Sequence, residues 1–222
     1  MIAAIHQPCY MPWLGMLKKA SACNVFVFMD DAQYTRGSFI ESNSIKTPQG
    51  ALRLRVPLDY RFGDTISQAR PKYALKWRER HLKSIRMNYA KAPHFDEAYQ
   101  LIHDILSVEY PSLADLNIAC TEAMFEWFGI SPRTERASAF GIATAKERRV
   151  IDICKEVGAD VYVSGSGAAV YQDARHFADE GIELVYAEYE AKPYRQRFGG
   201  FVPNLSAIDY MMNCGHSAEA FL

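Results

Sequence analysis

The residues best suited to chemistry follow the first apolar run of this 222-residue chain. Residues 1–5 are apolar and predict a buried strand, and a loop rich in polar and aromatic side chains comes next. His6 follows the strand directly. There, a neutral imidazole can hydrogen-bond a phosphate, and an imidazolium can offset developing negative charge. A histidine that only hydrogen-bonds the loop backbone is the simpler alternative.

Gly15 lies near the start of a predicted helix over residues 13–22, where it would let a phosphate approach backbone N–H groups.

A pair of carboxylates ends the second apolar run, residues 25–29. Adjacent side chains of an extended chain point in opposite directions, so only one of Asp30 and Asp31 can face a given ligand. It can bind Mg²⁺ through water, hold a ribose hydroxyl or orient His6; a polar strand end or a helix cap is the alternative. Ligands of open α/β sheets bind at the carboxyl ends of strands. We therefore expect residues 6–15 and 30–36 to form facing walls of a single small-molecule site.

Further candidates lie on later loops. The long polar segment 30–50 carries donors suited to phosphate or carboxylate groups, and the Ser-Gly-Ser-Gly turn 164–167 can cradle an anion with backbone N–H groups. For each, a solvated loop or a tight strand–helix turn is the alternative. In the tail, Ser206 and Asp209 fit a capping pair at a helix start, while two polar side chains nearby can line a pocket. The binding candidates are Gln7, Tyr10, Trp13, Gly15, Gln33, Arg36, Asn43, Lys46, Ser164, Gly165, Tyr171, Tyr194 and Gln196.

Composition narrows the class of protein. The chain has 25 Lys and Arg against 26 Asp and Glu, so no global basic bias points to nucleic acid. Five scattered cysteines predict reduced thiols in a cytoplasmic protein, and no apolar run approaches the ~20 residues needed to span a bilayer. The N-terminus lacks the pattern of a signal peptide. The basic face of Arg78, Arg80, Lys83 and Arg86 can meet a polyphosphate, a lipid-phosphate carrier or RNA, although a solvated helix face is the expected reading.

The remaining pattern predicts an α/β fold. A strand is expected over residues 52–58, helices over 77–89, 94–108, 112–128, 145–157, 171–179 and 205–212, and strands over 130–138, 160–164 and 182–189. Strands separated by helices indicate a Rossmann-like, mostly parallel sheet with flanking helices. The block of helices at about 75–128 forms a central helical insert within a single domain, residues 1–222.

Four segments resemble the WbqC-like family: HQPCYMPWLG, DDAQYTRGSFIESNSIKTPQG, VYVSGSGAAVYQD and PYRQRFGGFVPNLSAIDYMMNCG. The resemblance implies a cytoplasmic bacterial protein associated with surface polysaccharide and O-antigen biosynthesis. The family pattern carries onto most of the candidates above and onto Ser206, Asp209 and Asn213, whereas Cys9 departs from it. The opening layout is also similar to that of pantothenate synthetase and of nucleotidylyltransferases with an HxGH signature, but the second histidine of that signature is missing here.

These observations predict an enzyme that joins an amino-acyl or acyl group to an amino sugar after nucleotide activation. In this hypothesis His6, Asp30 and Asp31 are catalytic, and ATP or another nucleotide with Mg²⁺ is the cofactor. The expected partner is a small molecule (a nucleotide, a sugar or an amino acid), and nucleic acid is not expected. Two alternatives stay open. One is a transferase using a pre-activated donor, either an acyl-CoA or a nucleotide-sugar, and the other is a non-catalytic scaffold of glycan assembly.

Overall fold

A computed structural model describes residues 1–219 and 221 of the chain. In chain order its strands and helices are β1 (Ile2–His6), α1 (Leu14–Ser21), β2 (Val25–Phe28), β3 (Ser42–Thr47), β4 (Gly50–Arg55), β5 (Leu58–Asp59), β6 (Arg70–Pro71), α2 (Trp77–Tyr89), α3 (Phe95–Ser107), α4 (Leu113–Trp127), β7 (Arg133–Arg136), α5 (Lys146–Glu156), β8 (Val161–Gly165), α6 (Ala174–Ala178), β9 (Glu183–Ala187) and α7 (Ala207–Cys214). Short 3₁₀ turns cover Tyr73–Leu75, Ala137–Phe140 and Ser166–Ala168.

The centre of the molecule is a parallel sheet of five strands in the order β7-β2-β1-β8-β9. The strand β1 lies in the middle, with His6 opposite Phe28 of β2 and Ala4 opposite Val163 of β8. A strand covered on both faces needs apolar side chains at consecutive positions, which explains the unbroken apolar runs at the start of the chain. The predicted Rossmann-like α/β architecture is confirmed.

Alternate side chains of the central strands enter two separate apolar cores. Ile5 and Val27 pack on one face of the sheet with α5 and α6, through residues such as Ile153. Phe26 and Phe28 pack on the opposite face with α1 and the remaining long helices. Because successive side chains of a strand point to opposite faces, one short apolar strand serves both cores.

The helices α2, α3 and α4 occupy the chain between β6 and β7, close to the predicted bounds. Ser112 caps α4 by accepting a hydrogen bond from the backbone N–H of Asp115, at 3.1 Å, and Gly129 follows the helix with a positive φ of 66°. Their buried residues belong to the same apolar cluster as α1 and α7. The helical block therefore shares the core on the α1 face of the sheet.

The strand β3 and the two-residue hairpin of β5 and β6 were not predicted, because residues 59–73 were also expected to be loop. Residues 42–47 were expected to be loop, but β3 pairs with β4 in an antiparallel hairpin whose turn joins Thr47 to Gly50. The sequence SNSIKT lacks the alternation typical of a strand, and tertiary contacts stabilise it instead: Ile45 is fully buried, and the backbone N–H of Lys46 donates to the hydroxyl of Tyr89 at 2.8 Å. Correspondingly, β4 begins at residue 50 and ends at residue 55, earlier than predicted.

Two predictions near helix starts need correction. The helix α6 begins at Ala174, not residue 171, because Asp173 caps it by accepting from the backbone N–H of Arg175. Ser206 caps α7 as predicted, but Asp209 does not reach back to complete a capping pair. Its carboxylate instead accepts hydrogen bonds from the hydroxyls of Tyr89, at 2.7 Å, and Tyr194, at 2.8 Å.

Across residues 1–219 and 221, no helix has both the length and the apolar character required to cross a membrane.

Candidate functional site

A cavity of about 820 Å³ opens at the carboxyl ends of β1, β8 and β9. This is the edge of a parallel sheet at which ligands of α/β proteins bind. Its floor contains His6 and Ser164, and aromatic rings form much of its walls. The lining residues are Ile5, His6, Gln7, Trp13, Gly15, Met16, Lys19, Met29, Lys146, Glu147, Val150, Tyr162, Ser164, Gly165, Ser166, Gly167, Ala168, Tyr171, Gln172, Ala187 and Tyr189.

The imidazole of His6 is held as a neutral ring with a defined tautomer. Its Nδ1 lies 2.8 Å from the backbone carbonyl oxygen of Gln7, so Nδ1 carries the proton and donates it. Burial, together with the positive charge of Lys19, lowers the pKa of His6 to about 4. Within the described chain Nε2 has no hydrogen-bond partner, so this atom is an unprotonated acceptor available to a ligand.

Cys9 lies beside this ring, but it has the properties of a structural thiol. Its Sγ is 3.3 Å from the carbonyl oxygen of Gln7, to which it donates. Burial raises the pKa of Cys9 to about 12, so the thiol stays protonated and is a poor nucleophile. The departure from the family pattern at this position therefore leaves the acceptor role of His6 intact.

Lys19 is a functional candidate that the sequence reasoning missed. It lies on α1, is only 4% exposed, and lines the cavity next to His6. Its Nζ donates to the carbonyl oxygen of Ile5 at 2.6 Å, and burial lowers its pKa to about 8. A signal was available, because Lys19 shares a helix face with the buried Met16 and Ala20 whereas Lys18 does not.

Two aromatic rings and a glycine form one wall. Trp13 packs edge-on against Tyr189, with ring centroids 5.1 Å apart. A Cβ added at Gly15 would lie 2.5 Å from the Trp13 ring and 2.9 Å from Tyr189, closer than real side chains approach. Gly15 therefore lets both rings close against the first turn of α1, and the wall depends on it.

The end of β8 and the 3₁₀ turn after it form the opposite wall; Ser164 and Gly165, predicted to lie in a turn, are the last residues of the strand. The hydroxyl of Ser164 donates to Oε1 of Gln172 at 2.8 Å, which ties the ends of the loop 164–172 together. Tyr171 lies on this loop with 69% of its surface exposed at the cavity rim. An exposed aromatic side chain at a rim is suited to stack on a sugar or a base.

The residues 30–36 do not reach this cavity. Asp30 is buried and accepts hydrogen bonds from the backbone N–H of Ser138, at 3.0 Å, and from its hydroxyl, at 2.6 Å. Asp31 forms an ion pair with Arg149 of α5. Gln33 pairs through its backbone with Thr65, and Arg36 is exposed. The wall facing His6 thus consists of residues from α5, β8 and the loop after β8, not of the segment 30–36.

The remaining candidates lie in the interior, outside the cavity lining. The hydroxyl of Tyr10 is 2.9 Å from Nδ1 of His81, and Nδ2 of Asn43 donates to the carbonyl oxygen of Met11 at 2.8 Å. Lys46 Nζ donates to Gln196 Oε1 at 3.0 Å and to the carbonyl oxygens of Gly199 and Gly200. In this structure these side chains hold β3 and the tail segment in place, and Tyr194 takes part through Asp209.

The carboxylates at this end of the sheet do not fit a Mg²⁺ site. Both oxygens of Asp30 are bound by Ser138. Asp31 pairs with Arg149 through Oδ2; its buried Oδ1 has no hydrogen-bond partner in the described chain, but it lies outside the cavity lining and is a single ligand atom. Glu147 lines the cavity, but it accepts from His176 Nδ1 and from the backbone N–H of Asp173, each at 2.6 Å. Among residues 1–219 and 221, no three His, Cys, Asp or Glu side chains cluster in a metal-binding arrangement.

Comparison with known proteins identifies the family. The family model described as the WbqC-like protein family matches residues 7–220, nearly the whole chain. The chain belongs to the WbqC-like protein family. It is also 31% identical over 223 residues to the uncharacterized protein Rv1507c of Mycobacterium tuberculosis, a match that covers 99% of this chain and 96% of that relative. No solved structure matches the chain significantly.

The matched region contains the cavity at the carboxyl ends of the strands, apart from Ile5 and His6, which lie just before residue 7. Family membership agrees with the resemblance in the loop after β1 and in the turn after β8. Neither the family description nor the relative's name states a reaction, so the chemistry has to be argued from the site itself.

Proposed function

We propose that this WbqC-like protein is an enzyme of surface polysaccharide biosynthesis that joins an acyl or amino-acyl group to the amino group of a nucleotide-linked sugar. The observation that carries the proposal is the pairing of a neutral His6 with a buried Lys19 in an aromatic-walled cavity of about 820 Å³. A cavity of this size is typical of small-molecule sites.

The tautomer of His6 supports a role as general base. An amine that attacks an acyl carbonyl must lose a proton as the new C–N bond forms, and an unprotonated imidazole nitrogen can accept it. Because Nδ1 is committed to Gln7, Nε2 is the atom that would take this proton. The bond between the acyl carbon and its leaving group then breaks, the leaving group departs with the bonding electron pair and takes up the proton from Nε2, and the amide is released with His6 neutral again.

The position of Lys19 supports stabilisation of the negative charge that develops on the acyl oxygen. Its ammonium group lies in a largely water-excluded site, where a fixed charge is worth far more than in water. Trp13, Tyr189 and the exposed Tyr171 provide surfaces on which a sugar or a base can stack. Backbone N–H groups at the start of the 3₁₀ turn Ser166–Ala168 are suited to the phosphates of the nucleotide.

The committed carboxylates favour one version of this reaction. Activation by ATP is expected to use Mg²⁺ held partly by protein carboxylates, and Asp30, Asp31 and Glu147 are each bound to protein partners. We therefore favour a donor that arrives already activated, such as an acyl thioester, with the nucleotide serving as carrier of the acceptor sugar.

A ligand panel tests the proposal. A true ligand raises the unfolding temperature with increasing dose, and saturation at ~100 times Kd corresponds to about 2.7 kcal/mol. We expect a uridine-diphosphate amino sugar to raise the unfolding temperature of the protein without Mg²⁺. When acyl-CoA is added, the enzyme should acylate the amino group of that sugar. Pyrophosphate release from ATP in the presence of an amino acid would instead establish the nucleotide-activated ligase. If no compound in the panel changes the unfolding temperature, a non-catalytic scaffold is the correct reading.

A further inference from the structure

The positive charges of the chain are concentrated in one segment. Residues 51–91 contain eleven Lys and Arg but only three Asp and Glu, an excess of eight positive charges. Because the whole chain has a net charge of -1, the other 181 residues carry an excess of nine negative charges. Three of the eleven cations form ion pairs, namely Arg55, Lys72 and Arg78; no carboxylate in the described part of the chain pairs with the other eight.

Contacts bring part of this segment together with the loop after β2. Arg53 donates to the carbonyl oxygen of Gly37 at 2.8 Å, and the ring of Tyr60 packs on that of Tyr34 at a centroid distance of 4.6 Å. The backbone N–H of Tyr34 also donates to the backbone carbonyl oxygen of Asp64, at 2.9 Å. We call the resulting patch the basic–aromatic surface; its members are Arg36, Phe39, Arg53, Tyr60, Arg61 and Phe62.

The apolar members of this patch are unusually exposed. Phe62, in the loop between β5 and β6, is 99% exposed, and Phe39 is 53% exposed. Each has an arginine within three residues, Arg61 and Arg36, whose side chain is also exposed. On α2, the exposed Arg80 and Lys83 are three residues apart and share one helix face, and the exposed Lys76 directly precedes the helix.

We propose that the basic–aromatic surface docks the protein on an anionic lipid bilayer, with Phe62 entering the headgroup region and the arginines contacting lipid phosphates. Peripheral attachment of this kind combines electrostatic attraction with burial of a few apolar side chains at the boundary of the acyl chains. Each Lys or Arg near an anionic leaflet strengthens binding about fivefold. The proposal is independent of the reaction in the cavity, which lies at the end of the sheet.

The shape and chemistry of the patch favour lipid over RNA. Single-stranded RNA is bound by rings that stack on bases inside a basic groove. Phe62 instead extends from the loop between β5 and β6 with nearly its whole side chain in solvent. An exposed apolar side chain flanked by cations is suited to insertion into a headgroup layer.

Co-sedimentation of the full chain with lipid vesicles tests the proposal. We expect binding to vesicles of mixed phosphatidylglycerol and phosphatidylcholine, none to phosphatidylcholine alone, and weaker binding when the salt concentration rises from about 50 to about 300 mM. The variant Arg36→Glu/Arg61→Glu should lower the partition coefficient at least about tenfold. Phe62→Ser should lower it severalfold without a change in the unfolding temperature, because the ring has few contacts to lose.

Matched variants elsewhere on the protein show whether vesicle binding depends on this surface or only on the net charge and the number of exposed apolar side chains. Lys192→Glu/Arg195→Glu makes the same change in charge on an exposed tail segment, and Val170→Ser removes an 88% exposed apolar side chain elsewhere. Both should bind vesicles like the parent protein. Equal losses in the Lys192/Arg195 and Arg36/Arg61 variants would overturn the proposal. So would binding of a single-stranded RNA oligonucleotide with no binding to anionic vesicles.

Discussion

The ring of His6 is fixed in one protonation state by its neighbours. The carbonyl oxygen of Gln7 determines which nitrogen carries the proton, while burial and Lys19 keep the ring neutral at physiological pH. An imidazole with a pKa near 4 is unprotonated at neutral pH, and it accepts a proton only once bond formation has made the attacking nitrogen acidic. Substitutions of His6 and Lys19 test whether the neutral ring and the neighbouring ammonium group take part in the reaction.

Replacement of His6 by Gln should lower the rate of acyl transfer by ~10²–10⁴-fold, the contribution typical of a general base, while the Kd of the nucleotide sugar changes by less than about threefold. Steady-state kinetics and calorimetric titration measure the two quantities. His103→Gln, on the exposed side of α3, is the matched control and should retain full activity. If His6→Gln weakened binding as much as catalysis, His6 would be a ligand-binding residue and not the base.

Replacement of Lys19 by Met should separate function from stability. Burial disfavours the ammonium group, so its lowered pKa predicts that Lys19→Met is at least as stable as the parent protein at pH 7. Transfer activity should fall about 10²-fold or more, because the charge opposite the developing oxyanion is lost. Chemical denaturation measures the stability of the variant, and steady-state kinetics measures its transfer activity. A large loss of stability with unchanged activity would show that Lys19 is a structural residue.

At the residue scale, the sequence predicts the cavity members that lie beside a strand end and misses the one on a helix. His6, Gln7, Trp13 and Ser164 were found because polar or aromatic types follow apolar runs. Lys19 was missed because a lysine in a helix is ordinarily solvated, and its buried position depends on how α1 packs on the sheet. Asp30 was correctly placed at a strand end, but its hydrogen-bond partner was not predicted. That partner, Ser138, is 108 residues away along the chain.

Among the structural elements, the packing of α1 requires a residue without a Cβ at position 15. Alanine usually stabilises a helix relative to glycine by about 1 kcal/mol. At Gly15 we expect the reverse, a loss of about 1–3 kcal/mol in the free energy of unfolding, because the new Cβ would overlap the Trp13 ring. Gly167→Ala is the control, since a Cβ there has open space around it. Urea denaturation of both variants measures the difference, and equal stabilities would contradict the packing argument.

The strand β3 is joined to the tail by a buried ammonium group. Lys46 is 3% exposed and donates to three oxygens of residues 196–200. Lys46→Met should lower the free energy of unfolding by about 2–4 kcal/mol, because three acceptors lose their donor in the interior. Limited proteolysis should then cut the segment 196–204 faster. Lys192→Met, on the exposed part of the tail, should change neither result.

The elements that the sequence predicted are those whose own pattern determines them. The strands β1, β2 and β8 are short apolar runs, and α2 to α4 show a clear helical period with caps. The strand β3 has no such pattern, because Asn43 and Lys46 find their hydrogen-bond partners on distant elements. A polar strand of this kind is specified by its surroundings and could not be read from its six residues.

For the molecule as a whole, buried histidines couple folding to pH. The unfolded chain binds a proton at His6 near pH 6.5, whereas the folded protein binds it only near pH 4. Between these values the unfolded state carries more protons, so stability falls as the pH falls. Burial lowers the pKa of His81 to about 4 as well, with the same sign. Among the more exposed histidines, hydrogen bonds to Glu147 and Trp127 raise the pKa of His176 and His216 and act in the opposite direction.

A difference measurement isolates the contribution of His6. From pH 7 to pH 5, the stability of the parent protein relative to His6→Gln should decrease by about 1–2 kcal/mol, because the variant has no imidazole to protonate on unfolding. Urea denaturation at both pH values gives the numbers, with His103→Gln expected to follow the parent protein. A difference that does not vary with pH would mean that His6 is not shielded from protons in the folded state.

The position of β1 in the sheet has a consequence for synthesis of the chain. This strand is synthesised before the other strands of the sheet and can pair with β2 once residue 28 is available, but its other edge is covered only by β8, which begins at residue 161. During translation this largely apolar strand therefore keeps one edge unpaired while more than a hundred residues follow. Open edges of apolar strands invite pairing with other chains. We expect nascent chains stalled before residue 160 to engage chaperones strongly, and chains extended past β8 to be released from them.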